Sequence, residues 1–348
     1  MKKIFLLFII LSVIAKNPAL LAQSRNRIDS LFSVINTASQ TIVKVNALNA
    51  LVYEFRNNNP DTAIYFAKQA QVLAIKLNYM QGVADSYLWR SWAIMSLGNY
   101  DEALRTASYS LNMYTTILTT ENGIDTFKIL KQKAKAYNNI GLIYSNKGNN
   151  TEALINYFAS LKIKNEINDQ QGIAQTHNNI GSICELQGNY PEALKNYFIA
   201  LKLGEKFGNK QDVSYYYNNI GIIYFDMGNY SEALKNHLAA LKIRKAFNDK
   251  KGISASYNNI GTVYFKQKNS LEALNYFTSA LKIQEEIEDK RGVAQSFNNI
   301  GNFYLEEKNY AEALKSYLAS SKINFETGDK EGLALTYNNI GNLYLKLY

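Results

Sequence analysis

The chain reads as an all-α protein, an α-solenoid of stacked helix–turn–helix units, and three observations predict it. The tetrad Asn-Asn-Ile-Gly recurs at 138, 178, 218, 258, 298 and 338, a constant spacing of 40 residues. Self-similarity at such a period is the signature of a repeat array, in which each unit buries its apolar face on the next. Within one period, apolar and aromatic residues recur at helical spacing in two runs, divided by turns such as Gly188-Asn189-Tyr190. Only 3 prolines occur in 348 residues and no Gly/Ser-rich linker interrupts them, so the sequence favours one continuous architecture.

The N-terminus is different in kind. Lys2 and Lys3 precede a 12-residue apolar run, Ile4 to Ala15, which Lys16 and Pro18 end. Ala22 offers a small residue for cleavage before Gln23. The run is too short for a membrane span, which needs ~20 apolar residues, and it matches a secretory leader over 1–22. No cysteine stands near the cut, which excludes a lipoprotein. The expectation is an exported chain, periplasmic in a bacterial envelope. Residues 23–43 read as a lone amphipathic helix, a natural cap for an array.

The units follow in order. Residues 44–133 hold two weaker copies, recognisable by "PDTAIYFAKQA" at 60–70 and "GNYDEAL" at 98–104. The second runs over period, with the surplus expected in a loop at 119–125 around Asn122-Gly123. Residues 134–333 hold five copies of 40, and 334–348 form a first helix with no second helix after it. In the unit 174–213, Gly188 suits the residue just past the first helix and Pro191 the first turn of the second. Asp169, Asp249, Asp289 and Asp329 stand where a short carboxylate caps the next first helix.

These residues resemble tetratricopeptide repeats. That family places a bulky residue, Leu/Ile-Gly and Tyr on helix A, with Ala, an aromatic and Ala on helix B. Here helix A carries Tyr137, Ile140-Gly141 and Tyr144, and helix B carries Ala153, Tyr157 and Ser160. Ile180-Gly181, Ile220-Gly221 with Tyr224, Ile260-Gly261 with Tyr264, and Ile300-Gly301 with Tyr304 repeat it. The resemblance covers 134–348 strongly and the upstream units weakly, and its 40-residue period is longer than the family's usual 34. It implies a right-handed superhelix whose A helices line a concave groove where partner peptides lie. Together with the leader, the long period resembles the extracytoplasmic region of bacterial envelope histidine kinases and nucleotide cyclases. Neither a membrane helix nor an enzyme domain follows in this sequence, so no catalytic residue is carried over.

At 100° per residue, Tyr137, Ile140, Gly141 and Tyr144 cluster on one stripe, the expected core side of helix A. The opposite side centres on Leu142, flanked by Asn138, Lys135, Ser145 and Asn146, with Asn139 at its other edge. Asparagine opposes a helix by ~0.5 kcal/mol, so a repeated pair needs a reason. One is a ladder of amides pairing with an extended peptide backbone. The other is hydrogen bonding between neighbouring repeats. The candidate groove residues are accordingly Asn138, Asn139, Asn178, Asn179, Asn218, Asn219, Asn258, Asn259, Asn298, Asn299 and Asn338. Tyr215, Ile222, Phe225 and Phe265 join them as apolar docking points or, equally, as packing between units.

Chemistry leaves little trace. The formal charge is +9, from 38 Lys and Arg against 29 Asp and Glu. Lys162, Lys202, Lys242, Lys282 and Lys322 place that excess on the outer side of helix B, as a solvated stripe. Nucleic acid is not an expected partner, nor is the membrane once the leader is removed. His177 and His237 stand where other units have Tyr or Phe, and Cys184 where they have Tyr, so all three read as core residues. Cys184 and His177 lie seven apart on one helix, ~10 Å by the helical rise, too far to share a proton. One cysteine allows no internal disulfide. No phosphate loop, dinucleotide fingerprint or metal motif is present. The sequence therefore predicts a non-enzymatic binding scaffold with no cofactor and no metal. Its partner is a protein or peptide, and self-association through the uncovered last helix is a further expectation.

Overall fold

The computed structural model describes residues 18–347, and among them every regular element is an α-helix. The leader expected over 1–22 falls largely outside the described residues. α1 (Pro18–Thr37) precedes a series of helical hairpins, an A helix followed by a B helix. They are α2 (Ile42–Phe55) with α3 (Pro60–Lys76), α4 (Met80–Ser96) with α5 (Tyr100–Thr120), and α6 (Thr126–Asn146) with α7 (Asn150–Glu166). Then come α8 (Gln170–Leu186) with α9 (Tyr190–Phe207), and α10 (Lys210–Asp226) with α11 (Tyr230–Ala246). The last are α12 (Lys250–Lys266) with α13 (Ser270–Glu286), α14 (Lys290–Glu306) with α15 (Tyr310–Thr327), and the A helix α16 (Lys330–Leu347). The helices divide into two compact units, residues 21–208 and residues 209–347, each a stack of such hairpins.

Local chemistry explains the hairpins. The A-to-B turns after α4, α6, α8, α10, α12 and α14 each place one residue at positive φ. Gly98, Gly148, Gly188 and Gly228 supply it at 71–78°, and Lys268 and Lys308 adopt 59° in the two units without a glycine. The B helices α5, α7, α9, α11, α13 and α15 then start on an asparagine. Its side chain accepts the N–H of the glutamate three residues on, as Asn149 does from Glu152 and Asn309 from Glu312. The A helices α8, α12, α14 and α16 start on the aspartates, whose carboxylates accept the N–H of Gly172, Gly252, Gly292 and Gly332 at 3.0–3.3 Å. The surplus of the second unit lies mostly in its helices and not in the expected loop: α5 and α6 have 21 residues each where α7 and α8 have 17, and the connection 121–125 holds the small remainder.

Within a hairpin, one contact dominates. The ring of Tyr157 lies on Gly141, Tyr197 on Gly181, His237 on Gly221, Phe277 on Gly261 and Tyr317 on Gly301. A Cβ on any of these glycines would sit 2.5–2.7 Å from a ring atom, so only glycine admits the ring. All five rings are 0–2% exposed. Truncating such a buried ring typically costs ~3–5 kcal/mol, which makes this pair the main anchor of each hairpin.

Within each unit, the A helix of one hairpin touches the A helix of the next, as α4 touches α6 and α6 touches α8, or α12 touches α14 and α14 touches α16. Among the described residues, B helices of successive hairpins within one unit make no such contact. The A helices are therefore the closely spaced side of each stack, its inner face, and the B helices are the outer side.

Candidate partner-binding inner face

The asparagine pair divides between the repeats. Asn179 Nδ2 donates to Asn138 Oδ1 at 3.2 Å, Asn259 to Asn218 at 3.0 Å and Asn339 to Asn298 at 3.0 Å. The second asparagine of one repeat thus reaches the first asparagine of the repeat before it. Asn139 has Leu88 at the equivalent upstream place and instead donates to Ser91 Oγ, 2.5 Å away, with its side chain fully buried. Such a bond is worth ~1 kcal/mol, and leaving its partner unpaired in the interior costs ~1–3 kcal/mol. The expectation that the asparagines turn away from the core is corrected here for Asn139, and also for Asn258 and Asn298, which are 4% and 7% exposed. The reason is angular. Asn139 is three residues from Ala136 and four from Ile143, both fully buried, so it lies on the buried stripe.

The first asparagines border the inner face. Asn138, Asn178 and Asn218 are half-buried and Asn338 is exposed, and the second asparagines Asn219 and Asn299 are half-buried too. Asn258 Nδ2 also donates to Ser296 Oγ at 3.0 Å, and Arg244 reaches Asn218 Oδ1 at 3.4 Å. Tyr215 is 52% exposed, with the Arg244 guanidinium 5.6 Å from its ring centre. Ile222 is half-buried. Phe225 packs 5.6 Å from Tyr230 and Phe265 packs 6.2 Å from Phe303, so these two rings serve contacts within the stack.

A groove of about 510 Å³ opens on the inner face of the C-terminal unit, along α12, α14 and α16. Its floor holds Asn258, Asn259 and Asn298, with Ala255, Gln295 and Leu335 at the same register of three successive A helices. Lys251 and Arg291 stand along it with Asp289, Asp329 and Glu331, so both signs are represented.

Beneath the inner face lies a set of side chains that the sequence reading missed. Lys164, Arg244, Gln284 and Asn324, spaced by 40 or a multiple of it, are 3–4% exposed. Each points from a B helix to a hydroxyl on the next A helix. Lys164 Nζ donates to Thr176 at 2.6 Å and Arg244 Nη1 to Ser256 at 2.7 Å. Ser296 donates to Gln284 Oε1 at 2.5 Å, and Asn324 Nδ2 donates to Thr336 at 3.3 Å. The signal was present: a polar residue, a glycine eight residues later and a hydroxyl twelve later, in four copies. The glycine leaves room, since a Cβ at Gly252 would meet the Arg244 side chain at 2.8 Å. Burial drives the Lys164 amine down to about 8, helped by Lys135 and Lys131.

His237 and Cys184 are core residues, at 2% and 7% exposed. Burial, and then Arg244, lowers the His237 imidazole to about 4, while burial raises the Cys184 thiol. His177 Nδ1 lies 2.9 Å from Asn196 Oδ1. Among the described residues, no group of His, Cys, Asp and Glu is placed to hold a metal ion, and no helix is long and apolar enough to cross a membrane.

Family models agree with this architecture. A tetratricopeptide repeat model matches residues 132–205 and 212–286, a second matches 294–327, and the SusR N-terminal TPR domain matches 14–109. The chain is a tetratricopeptide repeat protein. No curated protein matches the chain in sequence. Solved structures share the fold of this tetratricopeptide repeat protein at low identity. BtubC from P. vanneervenii is 20% identical, with a TM-score of 0.56 over 66% of this chain and 92% of that one. A signal transduction ATPase with numerous domains and a tetratricopeptide repeat sensor, from Pyrococcus horikoshii, is 19% identical, with a TM-score of 0.62. That match takes in 92% of this chain but spans only about half, 49%, of the ATPase. A Rap protein complexed with Competence and Sporulation Factor is 13% identical, with a TM-score of 0.55 over 94% and 98% of the two chains.

Proposed function

We propose that this tetratricopeptide repeat protein is an exported, non-enzymatic scaffold that holds an extended peptide or protein segment against its inner face. The observation that carries the reading is the groove along α12, α14 and α16. Beside the buried Asn258 and Asn298, its lining presents the half-buried Asn259 and the exposed Gln295, and amides pair with any peptide backbone irrespective of side chains. The positions between the amides differ, Ala255, Gln295 and Leu335, which gives an extended segment an ordered set of dissimilar neighbours. One fold neighbour, a Rap protein, is complexed with Competence and Sporulation Factor, which supports a partner role for such an array. Export rests on the leader alone. Self-association is also proposed, through α16, where Leu335, Tyr337 and Leu345 are 54%, 57% and 79% exposed.

A photo-crosslinking residue at position 255 or 295 tests the groove, with position 282 on the outer side of α13 as control. In bacterial envelope extract, adducts of one partner from 255 and 295 but not from 282 are the expected result. Equal adducts from all three positions, or none, overturn it. A second reading makes the chain the sensory part of a larger signalling protein, and the ATPase with a tetratricopeptide repeat sensor favours it. A kinase or cyclase motif encoded directly downstream of this gene supports that reading, and an unrelated downstream gene removes it.

A further inference from the structure

The connection between α5 and α6 holds the chain's one Asn-Gly pair, Asn122-Gly123. Asparagine is a chemically labile residue, because the backbone nitrogen that follows it can attack its side-chain amide. Two things ordinarily prevent the attack. A side chain on the following residue crowds the approach, and hydrogen bonds hold the nitrogen or the amide in place.

Neither guard is present at Asn122. Gly123 has no side chain, and a Cβ built on it would meet nothing within 4 Å. It adopts a φ of 73°, outside any helix, and both residues are exposed. Among the described residues, no hydrogen bond engages the Gly123 N–H or the Asn122 side chain. The flanks, by contrast, are pinned. The Glu121 N–H donates to the Ile117 carbonyl at 3.1 Å, and Ile124 packs against the cluster that holds Ile117 and Ile129. Asp125 accepts the Lys128 N–H at 3.0 Å. Asn122-Gly123 is therefore a free span between two fixed points.

Asn269 shows the contrast. It precedes Ser270, another small residue, but its side chain accepts the Glu272 N–H at 3.4 Å and Ser270 is the first residue of α13. Asn149, Asn229 and Asn309 are held in the same way at the starts of their helices. The repeat thus guards its turn asparagines, and the connection ahead of α6 does not.

We propose that Asn122 is a self-modifying site, where the chain turns an amide into a carboxylate without an enzyme. The Gly123 nitrogen gives its proton to hydroxide and attacks Asn122 Cγ. The bond from Cγ to the side-chain nitrogen breaks, and that nitrogen leaves as ammonia with a proton from water, which restores the hydroxide. The cyclic imide then takes up one water. Breaking the new bond from nitrogen to Cγ leaves an aspartate, while breaking the original peptide bond leaves an isoaspartate whose chain runs through Cγ. Water is the only co-reactant consumed and nothing is oxidised or reduced. Either product adds a negative charge ahead of the N-terminus of α6, where the helix dipole favours it. Isoaspartate also adds one backbone carbon between the pinned flanks, and the Asp125 cap is the contact that must give.

The test incubates the full folded chain at pH 7 and pH 8 and follows each asparagine by peptide mass analysis that separates aspartate from isoaspartate. Loss of the amide at Asn122 is expected about tenfold or more faster than at Asn269, at a rate that rises in proportion to hydroxide, with both products present. Gly123→Ala, which crowds the attack, should slow it about tenfold, and Asn122→Gln, which needs a larger ring, should slow it too. The second variant leaves the φ of Gly123 unstrained, so it decides the matter if the first folds poorly. The rate in the folded chain should lie within about threefold of the rate in the chain unfolded by guanidinium, as for a span that the fold leaves free. In hydrogen exchange, the isoaspartate product should open at Lys128 and Ile129, whereas Asn122→Asp should leave them protected. An amide at Asn122 that lasts as long as the one at Asn269 overturns the site, as does a folded rate far below the unfolded one. Aspartate without isoaspartate, or an unchanged rate in both variants, overturns the cyclic route. Equal protection at Lys128 and Ile129 in both products overturns the coupling to the Asp125 cap.

Discussion

His237 offers the sharpest measurable consequence of this packing. Its ring fills the place that Tyr157, Tyr197, Phe277 and Tyr317 fill elsewhere, and its Nδ1 is buried without a partner. The neutral imidazole suits such a site and the charged one does not, which is why burial and then Arg244 lower it to about 4. In the unfolded chain it titrates near 6.5. Its folded value is the depressed one, so its contribution to stability is whole above ~6.5 and is lost as the pH falls toward 4. Each pH unit between the two values is worth ~1.4 kcal/mol, so the wild type should lose about 2 kcal/mol through this residue between pH 7 and pH 5. His237→Phe restores a ring that the same fold accepts over Gly261 and cannot take a proton. The assay is urea unfolding at both pH values, read by hydrogen exchange of α11, because repeat arrays open in parts. The variant should show a fall smaller than the wild type's by about 2 kcal/mol. Equal falls in the two proteins would refute the reasoning. A carbon-13 histidine titration gives the second reading, with His237 expected near 4.

Gly181→Ala should destabilise by ~1–3 kcal/mol in urea, because its Cβ would meet the Tyr197 ring at 2.7 Å. Gly341→Ala, on the same register but with nothing within 4 Å, should instead stabilise by ~0.5–1 kcal/mol through helix propensity. Asn139→Ala should cost ~1 kcal/mol through the lost bond to Ser91, whose hydroxyl keeps its own bond to the Leu88 carbonyl, whereas Asn338→Ala should change stability by less than ~0.5 kcal/mol. Self-association through α16 predicts a concentration-dependent dimer in light scattering that Leu345→Lys abolishes, and a monomer at every concentration counts against it.

Much of the fold was legible because its determinants are local and repeated. Gly188 marks a positive-φ turn, Asp249 marks a helix start, and Ile220-Gly221 marks a core stripe, each for a reason contained within a few residues. The inner face was legible only in part, because it depends on how far one repeat rotates on the next. A helical wheel places Asn138 and Asn139 100° apart but carries no mark of where the preceding helix stands. With α4 packed against α6, Asn139 falls inside the contact and Asn138 stays at its edge.

The same limit hid the buried polar row. On helix B alone, Lys164 and Lys162 are two lysines two residues apart, and nothing local separates them. Lys162 is exposed and Lys164 is 4% exposed, because the next A helix covers only one of the two. What distinguishes them is their fate across the repeats. Position 162 stays lysine in every copy, as a solvated residue can, while position 164 becomes Gly204, Arg244, Gln284 and Asn324. Its character changes as its surroundings change, yet in the four polar copies a hydroxyl follows twelve residues later. In a duplicated array, a position that varies in size and charge but keeps a fixed polar partner is therefore better evidence of an inter-repeat contact than one that never varies. The asparagine ladder follows the same logic. Its partners lie 41 residues apart, one more than the period, and in the pairs Asn138–Asn179, Asn218–Asn259 and Asn298–Asn339 that single residue couples one repeat to the one before it.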